Sequence, residues 1–71
     1  MSTRYYVMLN GIPLHEQPED GYTRKEAILR VMREVEWAHK HLGLTWEEAK
    51  CGWDICTTKT FQIDESARLE F

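Results

Sequence analysis

The stretch WAHKHLGLTWEEAKCGWDIC, from Trp37 to Cys56, holds all three Trp, both Cys and two of the three His. His39, His41, Cys51 and Cys56 are ligand types that suit zinc. Their spacing, H-x-H-x9-C-x4-C, argues against one shared ion. His39 and His41 fall near a helix end, where side chains two apart point about 200° away from each other. Cys51 and Cys56 are five residues apart. On one extended strand their Cα atoms would lie roughly 16 Å apart, at about 3.3 Å per residue, too far for a shared metal or a disulfide. They also have opposite parity and so face opposite sides. A turn at Gly52 would be needed to gather all four. A small zinc-stabilised domain built on these residues is therefore kept only as a second alternative, and the expectation is no metal and no cofactor.

Catalysis has even less to stand on. A nucleophilic Cys needs a depressed thiol pKa and a base held beside it, and no local pattern supplies them. Glu47 and Glu48 fall in the first turn of a helix, where the dipole favours carboxylates without any acid–base role. The chain has no Gly-rich phosphate loop, no G-x-S-x-G and no H-E-x-x-H. The expectation is a protein that is not an enzyme and has no catalytic residue. A nucleic-acid reading would use Arg4, Arg24, Lys25, Arg30 and Arg33, with Tyr5 or Tyr6 as stacking platforms. Helical placement scatters these bases rather than lining them up. Net charge is −3, with eight of the twelve acidic residues after position 33. Long polyanions are thus disfavoured, and a nucleic-acid-binding regulator using helix Arg and Lys is the first alternative only.

The elements that position these residues follow from pattern. Seventy-one residues form one small domain, read as spanning 1–71. A chain this short buries only about 60% of its unfolded surface, so its core is marginal. No apolar run reaches the roughly 18 residues of a membrane span, and MSTRYYVML reads as a strand, not a secretory signal. A cytoplasmic protein with free thiols and no membrane contact is expected. Thr3 to Glu16 reads as a β-hairpin around Asn10-Gly11, a type I′ turn signal. That turn would set Leu9 opposite Ile12, Val7 opposite Leu14 and Tyr5 opposite Glu16. Pro13 has no N–H to donate, which marks an edge strand. QPEDGY (17–22) is a loop. Thr23 and Glu26 have capping-box spacing and open a helix that should run to about Leu42, with Gly43 as its stop. Thr45 and Glu48 repeat the box before a short helical turn through Lys50. WDICTTKTFQI (53–63) is one long strand or two strands bent near Thr58-Lys59. Residues 64–71 read as a loosely packed tail.

The fold class is therefore α+β: a β-hairpin, a long amphipathic helix, a short helical turn, then one or two strands. The sheet is small and antiparallel, with the helix packed on one face. The expected core holds Val7, Leu9, Ile12, Leu14, Ile28, Val31, Met32, Val35, Leu42, Trp53, Ile55, Phe61 and Trp46. At 100° per residue, Arg30, Glu34, Trp37 and His41 lie opposite the helix's apolar stripe. Glu26→Arg30 and Glu36→Lys40 have the spacing of favourable i,i+4 pairs. Tyr6 and Met8 lie on the hairpin face away from the helix. Trp, Tyr and Arg are the usual residues of binding hot spots. Tyr6, Met8, Arg30, Arg33, Trp37 and His41 are thus the candidate partner-binding residues. The reading is a non-catalytic protein-interaction module, regulatory or inhibitory, of the kind mobile elements encode. It would bind a protein partner, or itself as a homodimer, through exposed aromatics.

Overall fold

The computed structural model describes residues 3–71. The elements are β1 (Tyr5–Leu9), β2 (Ile12–Pro13), α1 (Arg24–His41), α2 (Trp46–Lys50), β3 (Trp53–Thr57) and a C-terminal 3-10 helix (Glu65–Glu70). They form an α+β fold in which α1 packs against an antiparallel sheet of order β2-β1-β3.

Asn10 and Gly11 turn the chain between β1 and β2 with φ of 54° and 79°, the positive pair that a type I′ turn requires. Leu9 faces Ile12 and Met8 faces Pro13, as the turn dictates. Leu14 N–H then donates to the Val7 carbonyl at 3.1 Å. Beyond that the hairpin parts. Tyr5 does not meet Glu16; it bridges Tyr22 through backbone hydrogen bonds of 2.8 and 2.7 Å. A side chain fills the gap between these two pairings. The Gln17 amide oxygen accepts from Val7 N–H at 2.9 Å. Its NH2 donates to the carbonyls of Leu14 at 2.9 Å and Val7 at 3.3 Å. One primary amide thus takes the place of a strand peptide on this edge of β1.

The other edge of β1 pairs with β3 along its whole length, from Tyr5↔Thr57 to Leu9↔Trp53. β3 is one short strand. The chain then turns and returns so that Ile63 bridges Cys56, with Asp64 N–H donating to the Ile55 carbonyl at 2.8 Å. The outer edge of β3 is closed by its own chain.

Both helices start as their capping boxes predict. Thr23 Oγ1 accepts from Glu26 N–H at 3.2 Å, and the Glu26 carboxylate accepts from Thr23 N–H at 2.9 Å. Thr45 and Glu48 repeat this at α2. These bonds hold the carboxyls of Glu26 and Glu48 below the usual range. Gly43, at φ 70°, takes the left-handed position after α1 that ends a helix.

The core centres on Val7, Val31, Val35 and Ile55, with Ala27, Ile28 and Trp53 beside them. Leu9, Leu14, Met32 and Trp46 pack at its rim. Three expected core residues lie outside it: Ile12 at 68% exposure, Leu42 at 59% and Phe61 at 58%. Ile12 is on a two-residue edge strand that packs chiefly on β1. Leu42, the C-cap, keeps the helical direction but lies about two turns past Val35, the last buried residue of α1. Phe61 shares odd parity with Trp53 and Ile55, which on one continuous strand would put it on the core face, but the chain has already turned there.

The tail is not loose. Ala67 and Phe71 are buried and complete the core, while Leu69 points to solvent. The Trp46 indole N–H donates to the Phe71 backbone oxygen at 2.9 Å. Arg24 bonds Asp64 at 2.7 Å, Glu70 at 2.5 Å and Ser66 at 3.0 Å. The Ser66 hydroxyl donates to Asp64 at 2.6 Å. This clasp ties the last turn of chain to the start of α1.

Two outcomes follow. Gln17→Leu leaves Val7 N–H without its partner and should cost about 1–3 kcal/mol in urea unfolding; a loss below about 0.5 kcal/mol, the level of a neutral surface change, contradicts this role. The Ser66 hydroxyl and then the Arg24 guanidinium hold the Asp64 carboxyl below its ordinary range. The folded value therefore lies under the unfolded value of about 3.9, so Asp64 adds stability above that pH and loses it as acid carries the pH through the folded value. Asp64→Asn should flatten the stability–pH curve below about pH 4, with the parts due to Glu26, Glu36 and Glu48 remaining. An unaltered curve would count against the clasp.

Candidate functional site

The outer face of α1 gathers the most distinctive side chains. Leu29, Arg33, Trp37 and His41 recur every four residues and so form one ridge along the helix. Each of the four is exposed. Trp37 stands out at 55% exposure, against 9% for Trp53. Its ring lies 5.2 Å from the His41 ring, tilted by 36°. Arg33, Glu36, Trp37, Lys40 and His41 line a shallow groove there.

The charges around this groove are unequal. Lys40 Nζ bonds Glu36 at 2.7 Å, and the ammonium holds the Glu36 carboxyl below its usual range. That pair cancels. Arg33 is different. Of the five arginines, Arg4 donates to the Gly21 carbonyl, Arg24 holds the C-terminal clasp, Arg30 pairs with Glu34 and Arg68 pairs with Asp54. Arg33 makes no hydrogen bond or ion pair among the described residues. Its positive charge is left on the surface beside the indole of Trp37. Among the described residues, no buried side-chain nitrogen or oxygen lacks a partner.

Arg30 is placed differently from its neighbours on the helix. It pairs with Glu34 at 3.2 Å, not with Glu26, whose carboxylate is in the capping box. Its guanidinium also donates to the Glu16 carbonyl at 3.2 Å and to the Tyr22 hydroxyl at 3.3 Å. These bonds tie α1 to the loop before it. Arg30 belongs to the fold.

Tyr6 and Met8 alternate with Val7, so they lie on the sheet face away from α1. Both are half-buried. Tyr6 donates its hydroxyl to the Glu19 carbonyl at 2.7 Å and stacks on Phe61 with ring centres 6.3 Å apart. The six candidate residues therefore fall into two groups on opposite sides of the molecule.

The structure does not bring His39, His41, Cys51 and Cys56 together, which removes the geometric basis of the zinc alternative. His39 donates from Nδ1 to the Leu44 carbonyl at 2.7 Å, and its ring meets Trp46 edge-on at 5.9 Å. His41 lies over Trp37. Cys51 is exposed and Cys56 is buried in β3, where burial raises its thiol pKa. Among the described residues no cluster of His, Cys, Asp and Glu has the grouping to hold a metal ion.

Two surface residues escaped the sequence reading. Leu29, 45% exposed, extends the ridge one turn toward the start of α1, and counting back four from Arg33 would have found it. Phe61 has φ of 55°, a left-handed conformation that costs a bulky residue roughly 1–2 kcal/mol. It ends a turn closed by Phe61 N–H to the Thr57 carbonyl and Thr57 N–H to the Gln62 carbonyl, both 3.0 Å. No Gly or Asn marks that position, so the sequence carries no signal for it.

No protein-family model, no curated protein and no solved structure matches this chain.

Trp37 should be dispensable for folding. Trp37→Ala is expected to change the unfolding free energy by less than about 0.5 kcal/mol, as for other surface sites. Trp53→Ala, which empties the core, should cost about 3–5 kcal/mol. Equal losses in the two variants would place Trp37 in the fold.

Proposed function

We propose that this protein is a non-catalytic interaction module that binds a protein partner through the outer face of α1. Trp37 is the apolar anchor, and Arg33 and His41 flank it one helical turn to either side. Regulation or inhibition of that partner is the role that fits a small chain without catalytic machinery.

One observation carries the reading. Among the described residues Arg33 has no bonded partner and stands beside the half-exposed Trp37, while the other four arginines are tied to carbonyls or carboxylates. Trp and Arg dominate binding hot spots because each joins a large contact area to a directional donor. Arg24 and Arg30 are held in internal ion pairs, which speaks against the alternative in which helix cations grip a phosphate backbone. A membrane-spanning role finds no support either, because among the described residues no helix is long and apolar enough to cross a bilayer.

The test is affinity capture from cells of the source organism on matched matrices carrying the wild-type protein, Trp37→Ala or Tyr6→Ala. A protein retained by wild type and Tyr6→Ala but lost with Trp37→Ala is the expected result. Identical sets on the wild-type and Trp37→Ala matrices would refute docking at this face.

A further inference from the structure

The ridge itself says what kind of surface it takes. Going along α1 in steps of four, the row reads Lys25, Leu29, Arg33, Trp37, His41: nitrogenous and apolar side chains alternate, and none is acidic. The nearby carboxylates are already committed. Glu26 closes the capping box, Glu34 bonds Arg30, and Glu36 bonds Lys40. The charges left over along this row are those of Arg33 and, one turn before Leu29, of the exposed Lys25, neither of them in an ion pair among the described residues, on a chain whose net charge is −3.

Docking anything against Trp37 takes water from Arg33. A guanidinium desolvated without a carboxylate is strongly unfavourable, because its lost hydration is not replaced. Nothing on α1 is free to supply that carboxylate. The occupant has to bring it.

We infer that the occupant is an acidic amphipathic helix of a partner protein, with apolar residues seated on Leu29 and on Trp37 and an Asp or Glu between them on Arg33. The inference rests on the reading of this face as a docking surface. From Leu29 to His41 the ridge is about 18 Å long at ~1.5 Å per residue, the length of roughly three helical turns. An i±4 ridge of this kind lies in the groove between the i±4 ridges of a second helix, the commonest helix-packing geometry. Carboxylates about two turns apart on that helix meet Arg33 and the His41 side of the groove.

A second copy of this chain fits less well. A twofold axis through the ridge pairs its residues only with one another, and none of them is acidic. Each copy's carboxylates are spent in the same internal bonds, so both Arg33 charges would be buried unpaired. Nucleic acid is disfavoured for a different reason. Two unengaged cations, Lys25 and Arg33, about 12 Å apart along the helix axis beside a cancelled Lys40–Glu36 pair, are a poor match to a row of phosphates.

The experiment is selection from a displayed library of 16-residue helical peptides, randomised on one face, with wild type, Trp37→Ala, Arg33→Lys and Arg33→Glu as baits. The expected peptides carry Asp or Glu one turn from an apolar residue. Trp37→Ala should weaken them by about 30-fold, the scale of a hot-spot loss. Arg33→Lys should retain part of the affinity, and Arg33→Glu should switch selection to Lys and Arg. Their binding should also weaken as salt rises. Enriched peptides with no acidic bias that still depend on Trp37 would overturn the acidic partner and leave the docking face standing. No enrichment, or enrichment indifferent to both Trp37 and Arg33, would remove the docking face as well. Dimerisation of wild type abolished by Trp37→Ala, or DNA or RNA binding abolished by Arg33→Glu, would each replace the acidic helix with a different occupant and overturn it.

Discussion

β1 has to be hydrogen-bonded along both edges, and the rest of the molecule depends on how that is achieved. It is the central strand of a sheet whose other members are five and two residues long. β3 satisfies one edge throughout. On the other edge β2 reaches only Leu9 and Met8, and Tyr22 returns only at Tyr5. Val7, the strand's fully buried residue, lies between them. A buried N–H without a partner there would cost a sizeable part of what so small a core provides. The Gln17 amide removes that cost, and it lets the chain leave the sheet early enough to begin α1 at Arg24.

That arrangement sets what is left for function. With β1 fixed, Val7 and Ile55 meet Ala27, Ile28, Val31 and Val35 on one side of α1. The C-terminal segment closes the remaining side: Phe71 and Ala67 enter the core, and Arg24 clasps Asp64 and Glu70. Among the described residues, nothing packs over the opposite side of α1. Leu29, Arg33, Trp37 and His41 are there because helical geometry puts them there. A half-exposed indole beside a guanidinium that is unpaired among the described residues is the chemistry on which the proposed docking face rests.

Local signals in the sequence were readable wherever one short motif determined the backbone. Asn10-Gly11 specified the turn, Thr23 with Glu26 and Thr45 with Glu48 specified both helix starts, and Gly43 marked the helix end. The outward position of Trp37 was readable because Val31 and Val35 define the inner stripe. Features that needed distant partners were not readable. Gln17 imitates a strand through its side chain, which leaves no periodic trace. Phe61 followed strand parity on paper but sits past a turn that carries no Gly or Asn. Residues 64–71 look polar and loose until Ala67 and Phe71 find the gap beside Trp46 and Ile55. Arg33 could be placed on the outer face, but its lack of a partner became visible only once the other arginines had found theirs.

The proposed docking on the outer face of α1 is tested most directly by NMR chemical-shift mapping of the isotopically labelled protein with its captured partner. The account predicts that the Trp37 indole N–H and the backbone amides around Arg33 to His41 shift or broaden, while Tyr6, Met8 and Phe61 stay in place. Perturbation confined to Tyr6, Met8 and Phe61, with the Trp37 indole unmoved, would contradict it.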